Sequence, residues 1–216
     1  MNLYPKNSIP IPEVKKFIVI FYIVGLLGFF IPFTKNIFIL ITPFAQLLGI
    51  YLLALYHPIY SRRNISLFLL VFLMGYIIEV IGIKTGVIFG TYHYGKTLGL
   101  KILETPLLIG VNWLFLTYTS TSIFKRYINK PVFTILFAPL LMVVYDIVLE
   151  QVAPKIGMWY WEGSSVPLKN YFAWYIIGMV FVSLFQVFKI ETKNTMASIL
   201  FVCQFLFFVM LIFVLQ

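Results

Sequence analysis

Residues 75–113 read GYIIEVIGIKTGVIFGTYHYGKTLGLKILETPLLIGVNW, and this stretch decides how the rest of the chain is understood. It opens as apolar helical sequence carrying one carboxylate, Glu79, among Ile77, Ile78, Val80 and Ile81. It then breaks at Gly86, Gly90 and Gly95, with Phe89, Tyr92, His93 and Tyr94 interleaved. After Pro106 it turns apolar again and reaches Asn112 and Trp113. Sequence of this kind leaves hydrocarbon through an aromatic loop and re-enters it. A charge in hydrocarbon is costly, so Glu79 is expected to face the bundle interior or a wet cavity.

The composition agrees. The chain has 216 residues, 62% hydrophobic and 11% charged, with a mean hydropathy of +0.99. Soluble domains are about a quarter charged, so this is an integral membrane protein built as one all-α helical bundle over residues 1–216. Apolar runs at 14–32, 37–56, 65–83, 103–124, 132–150, 171–188 and 196–215 give about seven transmembrane helices, each able to cross roughly 30 Å of hydrocarbon. Residues 87–100 form a candidate re-entrant segment. The first run lacks a small-residue cleavage site and reads as a retained helix.

The net charge of +9 reflects Lys and Arg in membrane loops rather than nucleic-acid binding. The lone Cys203 excludes an intrachain disulfide and a multi-cysteine metal site. His57 and His93 fall on opposite membrane faces, which argues against a histidine metal site, and His93 reads as the buried one. No Gly-rich Lys-Ser/Thr loop or aspartate-rich diphosphate motif exists, so phosphoryl transfer is not expected.

With seven helices, ten basic residues share the face of the amino-terminal arm and six lie opposite, which places the amino terminus in the cytoplasm. Membrane lipid is then the surrounding partner. Five of the seven acids (Glu79, Glu104, Asp146, Glu150, Glu162) gather at the other end, with Trp159, Trp161 and Trp174. A second stretch, residues 145–174, therefore meets residues 76–113. Asp146 and Glu150 are four apart and share a helix face, a pairing that suits a proton donor beside an acceptor that orients water. Glu150 is equally readable as a solvated helix end, and Asp146 lies one turn deeper.

Tyr92 and Tyr94 read either as cavity lining or as an interfacial aromatic belt. Asn112 is either interhelical glue or a water-positioning amide. Indole faces stabilise cations, including the transient cation of a protonated alkene. An acid cluster lined by aromatics inside a lipid-facing bundle therefore suits carbocation chemistry on an apolar polyene. Glu79, Asp146, Trp159 and Asn170 are expected to line one cavity open sideways to lipid.

These residues compose a motif, E-x-x-G-x-x-T-G-x-x-F-G-x-Y-x-Y, from Glu79, Gly82, Thr85, Gly86, Phe89, Gly90, Tyr92 and Tyr94. Leu98-Gly99, Pro106 and Trp113 follow it. A second block holds Asp146, Glu150, Gly157, Trp159, Trp161, Val166-Pro167, Asn170 and Trp174. Over about residues 70–186 the two blocks resemble the CruF-type membrane carotenoid hydratases. The chain departs from that pattern at Glu150, where Asp-Pro is expected and Gln151 follows instead.

The resemblance implies hydration of the terminal isopropylidene double bond of an acyclic carotenoid end group, of the lycopene or gamma-carotene type. It implies no cofactor, and a bacterial or archaeal cell membrane shared with other carotenoid enzymes. The catalytic candidates are then Glu79, Asp146 and Glu150, with donor and base unassigned. Substrate contacts fall to Phe89, Tyr92, His93, Tyr94, Asn112, Trp113, Trp159, Trp161, Asn170 and Trp174. The rival within the same chemistry is an end-group cyclase. From another class, a proton-coupled transporter would use the same acids, but its inverted repeats are not evident. A retinal protein needs a lysine in its last helix, and residues 196–216 contain none.

Overall fold

Proline starts and glycine stops frame the helices. Pro32 opens α2 (Pro32–Leu55) and Pro131 opens α5 (Pro131–Glu150), at first-turn positions where a missing N–H costs nothing. Ser61 caps α3 (Arg62–Thr85) by accepting from the Asn64 N–H at 3.1 Å, and Gly86 ends it at φ +63°. That left-handed cap favours glycine. The remaining helices are α1 (Ile11–Phe30), α4 (Leu108–Tyr127), α6 (Leu168–Val187) and α7 (Ala197–Val214). This computed structural model describes residues 9–128, 130–163 and 165–215.

The result is the expected all-α membrane bundle of seven helices. Five of them, α2, α3, α5, α6 and α7, are long and apolar enough to cross a membrane. The other two miss that standard for different reasons. α1 carries Glu13, Lys15 and Lys16 in its first turns. α4 carries the polar run Thr117, Thr119, Ser120, Thr121 and Ser122.

Yet α4 is the centre of the bundle. It packs against α2, α3, α5, α6 and α7, and Tyr127 is its only exposed large hydrophobic residue among those described. A helix shielded from lipid needs no apolar exterior, whereas the other six helices display exposed Leu, Ile, Val and Phe on their outer faces. Thr119 satisfies its hydroxyl on the Phe115 carbonyl at 2.7 Å, while the hydroxyls of Thr117, Ser120 and Thr121 have no partner among the described residues.

Small residues let α3 and α4 pack closely. A Cβ on Gly75 would meet the Trp113 side chain at 2.7 Å, and one on Gly110 would meet the Phe72 carbonyl at 2.6 Å. These two glycines let α3 and α4 approach closely enough for Trp113 to reach across.

Two connections differ from their expected forms. The candidate re-entrant segment, residues 87–100, is bends and turns around a short strand, β1 (Tyr92–Tyr94). Expected helix at 103–107 is instead part of a tight hairpin, β2 (Lys101–Ile102) with β3 (Thr105–Pro106), so α4 begins at Leu108. Its turn residues Leu103 and Glu104 have φ of +51° and +66°. After α5 a short 3-10 turn, Pro154–Ile156, leads to β4 (Trp159–Trp161).

β4 pairs antiparallel with β1 in the register Tyr92↔Trp161, His93↔Tyr160 and Tyr94↔Trp159. This ribbon caps the end of the bundle where α3 and α5 finish and α4 and α6 begin.

Candidate active site

Helical periodicity delivers the carboxyls inward. Leu67, Val71, Gly75, Glu79 and Gly82 form the buried stripe of α3. Ala138, Met142, Tyr145, Asp146, Leu149 and Glu150 form that of α5, and Asn170, Trp174, Gly178 and Phe181 that of α6. Steps of three and four residues keep each set on one face. Period-two alternation does the same in the ribbon, where Tyr92 and Tyr94 are buried and His93 is exposed between them.

Glu79, 3% exposed, receives three donors. The phenols of Tyr92 and Tyr94 donate to Oε2 at 2.5 and 2.9 Å, and the Trp113 indole donates to Oε1 at 3.0 Å. Burial, then the charge of Glu79, holds both phenols well above their usual pKa range, so they remain donors.

Glu150 sits in the last turn of α5, where the helix dipole disfavours an anion. Two indoles offset this: Trp159 and Trp161 donate to Oε2 at 3.0 and 2.8 Å. Asp146 receives one donor, the Asn170 amide on Oδ2 at 2.8 Å. Its Oδ1 is buried and has no partner among the described residues.

Ring contacts join the donors of Glu79 and Glu150 into one network. Trp113 stacks on Trp174 at 4.1 Å, Tyr92 lies 4.9 Å from Trp161, and Tyr94 lies 6.1 Å from Trp159. Phe89 meets Tyr92 edge-on and fills the space beside Gly82. Asp146 lies one turn before Glu150 on the same buried face of α5.

Three expectations need correction. His93 is not the buried histidine: it stacks on Tyr160 on the outer face of the ribbon, because the register that turns Tyr92 and Tyr94 inward turns it outward. The buried one is His57 at the other end, whose Nδ1 meets the Tyr118 hydroxyl at 2.8 Å. Glu104 is an exposed hairpin tip, not the start of a helix. Finally, the acids do not line the large cavity.

That cavity, about 400 Å³, lies among α1, α2, α4, α5 and α7 beneath the cap. Trp159, Met158, Leu98 and Leu149 close its cap end, so Trp159 is the wall shared with Glu150. Val24, Ile41 and Phe44 line it and are also exposed, which opens it sideways between α1 and α2. Asn112 lines it too and accepts from Gln46 at 3.4 Å, tying α4 to α2.

Tyr22, Gln46, Tyr145 and Gln204 share this wall and were not legible as site residues. The only sequence signal for them was that Gln46 and Gln204 interrupt apolar runs. Among the described residues, no group of three or more His, Cys, Asp or Glu is arranged to hold a metal ion.

No solved structure matches the chain. A curated relative, the bisanhydrobacterioruberin hydratase of Haloarcula japonica, is 28% identical over 142 residues, 60% of this chain. The chain spans about half the length of that relative, since the match covers 47% of it. The carotenoid biosynthesis protein family matches residues 36–216, from the second turn of α2 through α7 and including every member of the acid network. By that match the chain belongs to the carotenoid biosynthesis protein family.

Proposed function

We propose that this protein is a carotenoid hydratase that adds water to the terminal isopropylidene double bond of an acyclic end group. One observation carries the reading. Two buried carboxyls, Glu79 and Glu150, are held by indoles and phenols, a third, Asp146, is buried one turn from Glu150 on the Asn170 amide with one oxygen unpartnered, and an apolar cavity open to lipid adjoins them. The hydratase relative supports the same chemistry.

The hydrogen-bond inventory divides the roles. Three donors suit Glu79 to the anionic form, whose charge favours a nearby cation. Asp146 has the fewest donors and a free oxygen, so it carries the proton. The alkene takes that proton at its less substituted carbon, leaving a tertiary cation and an Asp146 carboxylate. The stacked indoles of Trp113 and Trp174 flank the site, where aromatic faces stabilise positive charge.

Water adds to the cation and gives its proton to Glu150, whose Oε1 has no partner among the described residues while Oε2 is held by two indoles. One helical turn separates Glu150 from Asp146, so the proton returns and the cycle closes with water as the only added reactant. A long polyene dissolves in the bilayer, and entry between α1 and α2 avoids passage through water. The amino terminus lies in the cytoplasm, from the loop charges, which puts the cap on the opposite face of the cell membrane.

Expression in a bacterium that makes acyclic carotenes tests the reading by pigment mass spectrometry. Hydration adds the mass of water and incorporates heavy oxygen from labelled water. A ring-closed product of unchanged mass would identify a cyclase, and label arriving from molecular oxygen would refute the mechanism.

A further inference from the structure

Apart from Thr42, whose hydroxyl donates to the Phe38 carbonyl at 2.9 Å, the polar side chains of the cavity wall gather in one cluster. Gln204 of α7 donates to Gln46 of α2 at 2.7 Å and to the Tyr145 hydroxyl of α5 at 2.8 Å, and it accepts from Tyr22 of α1 at 3.2 Å. Gln46 donates in turn to Asn112 of α4 at 3.4 Å. Five helices thus each contribute one neutral polar side chain to a single spot.

The cluster is rich in donors. Three amides and two phenols carry eight N–H and O–H hydrogens, of which the contacts between them use four. Exchanging nitrogen and oxygen in any amide leaves that excess in place. Asn112 donates to nothing among the described residues and is half-buried on the cavity wall. Tyr145 accepts from Gln204 and has no acceptor of its own there. Interhelical glue alone would leave these donors facing hydrocarbon, where an unmade hydrogen bond is expensive.

Among the described residues the cavity is lined by no charged side chain, so its donor-rich cluster suits a neutral acceptor. The apolar walls and the lateral mouth restrict the ligand to one that arrives through lipid. We infer that Gln46, Asn112, Tyr145 and Gln204 form a subsite for a single oxygen, a hydroxyl or carbonyl, carried by an otherwise apolar polyene. This rests on the hydratase reading for the polyene, and it makes the preferred substrate an oxygenated one.

The test uses full-length protein in lipid nanodiscs and two acyclic polyenes of equal length, one with a tertiary hydroxyl near an end and one without oxygen. Binding is read by quenching of tryptophan fluorescence, since Trp159 lines the cavity. Wild type should favour the hydroxylated polyene by about tenfold, and Tyr145→Phe and Asn112→Leu should each reduce that preference severalfold. Tyr145→Phe keeps the ring and so guards against a folding artefact. Equal affinity in wild type, or a preference unchanged in both variants, would overturn the subsite and leave the cluster as glue.

Water addition is followed by mass in the same samples. Hydration without discrimination removes the subsite and keeps the hydratase. Discrimination without hydration supports the subsite and removes the hydratase.

Discussion

Each end of the bundle buries a polar knot, and the two are built differently. At one end His57 meets Tyr118 and Asn64, while Asn194 donates to Tyr118 at 3.2 Å and to the Leu53 carbonyl at 2.8 Å. Every member is neutral or able to be so, and each contact ties one segment to another. At the other end lie Glu79 and Glu150, held by indoles and phenols, and Asp146, held by the Asn170 amide. Neutral pairs suffice to fix helices in lipid, at roughly 0.6 kcal/mol each. Three carboxyls are a costly way to do the same work, and Asp146 Oδ1 holds nothing. Buried hydroxyls without a partner occur in the scaffold too, as on Thr117, Ser120 and Thr121, so a buried carboxyl with a free oxygen is what separates the site from the scaffold.

The sharpest way to break this contrast is Asp146→Asn. It keeps size and the Asn170 contact but removes the titrating proton, so turnover should fall by about 10²-fold or more at matched levels of membrane-inserted protein. Glu79→Gln should act in the same direction. Folding should survive both, because a neutral amide is easier to bury than a charge. Normal hydration by both variants would reduce the acid end to scaffold.

His57→Phe probes the opposite knot. It strips partners from Tyr118 and Asn64 and should lower stability by about 1–3 kcal/mol, read as a lower thermal midpoint in detergent. Turnover per folded molecule should hold, and a large specific loss there would erase the distinction between the ends. Gly75→Ala links the two effects. Its Cβ would press on Trp113 at 2.7 Å, so stability should fall by roughly 1–3 kcal/mol and turnover should fall with it, through the displaced indole donor to Glu79.

The smallest change is expected at Glu104, an acid at the site end yet outside its network. Glu104→Gly relieves a left-handed turn residue at φ +66°. The gain should stay under about 1 kcal/mol, since glycine costs more backbone entropy. Hydration should be unaltered, and a marked loss would bring this hairpin into the site.

Much of the architecture is local and was therefore readable. Apolar runs long enough to span lipid must form helices, since backbone groups have no other partner there. Counting helices placed Glu79, Asp146 and Glu150 at one end, and three-and-four spacing put Asp146 and Glu150 on one face. The glycine and aromatic content of residues 86–95 marked a loop, and the structure adds that Tyr92 and Tyr94 turn inward.

What sequence alone left open depends on pairing between distant segments. Whether His93 or its neighbours face inward was decided by the register of β1 on β4, 67 positions apart at His93↔Tyr160. The hairpin at Glu104 required two left-handed residues that carry no glycine signal. The donor cluster joins Tyr22 to Gln204 across 182 positions and Gln46 to Gln204 across 158. Hydropathy reports how each segment meets lipid, and that is a property of the segment. Which unpaired donor or acceptor ends beside which is a property of the packed bundle, so the chain determined its helices and its acids by itself, and only tertiary structure decided the cavity and its wall.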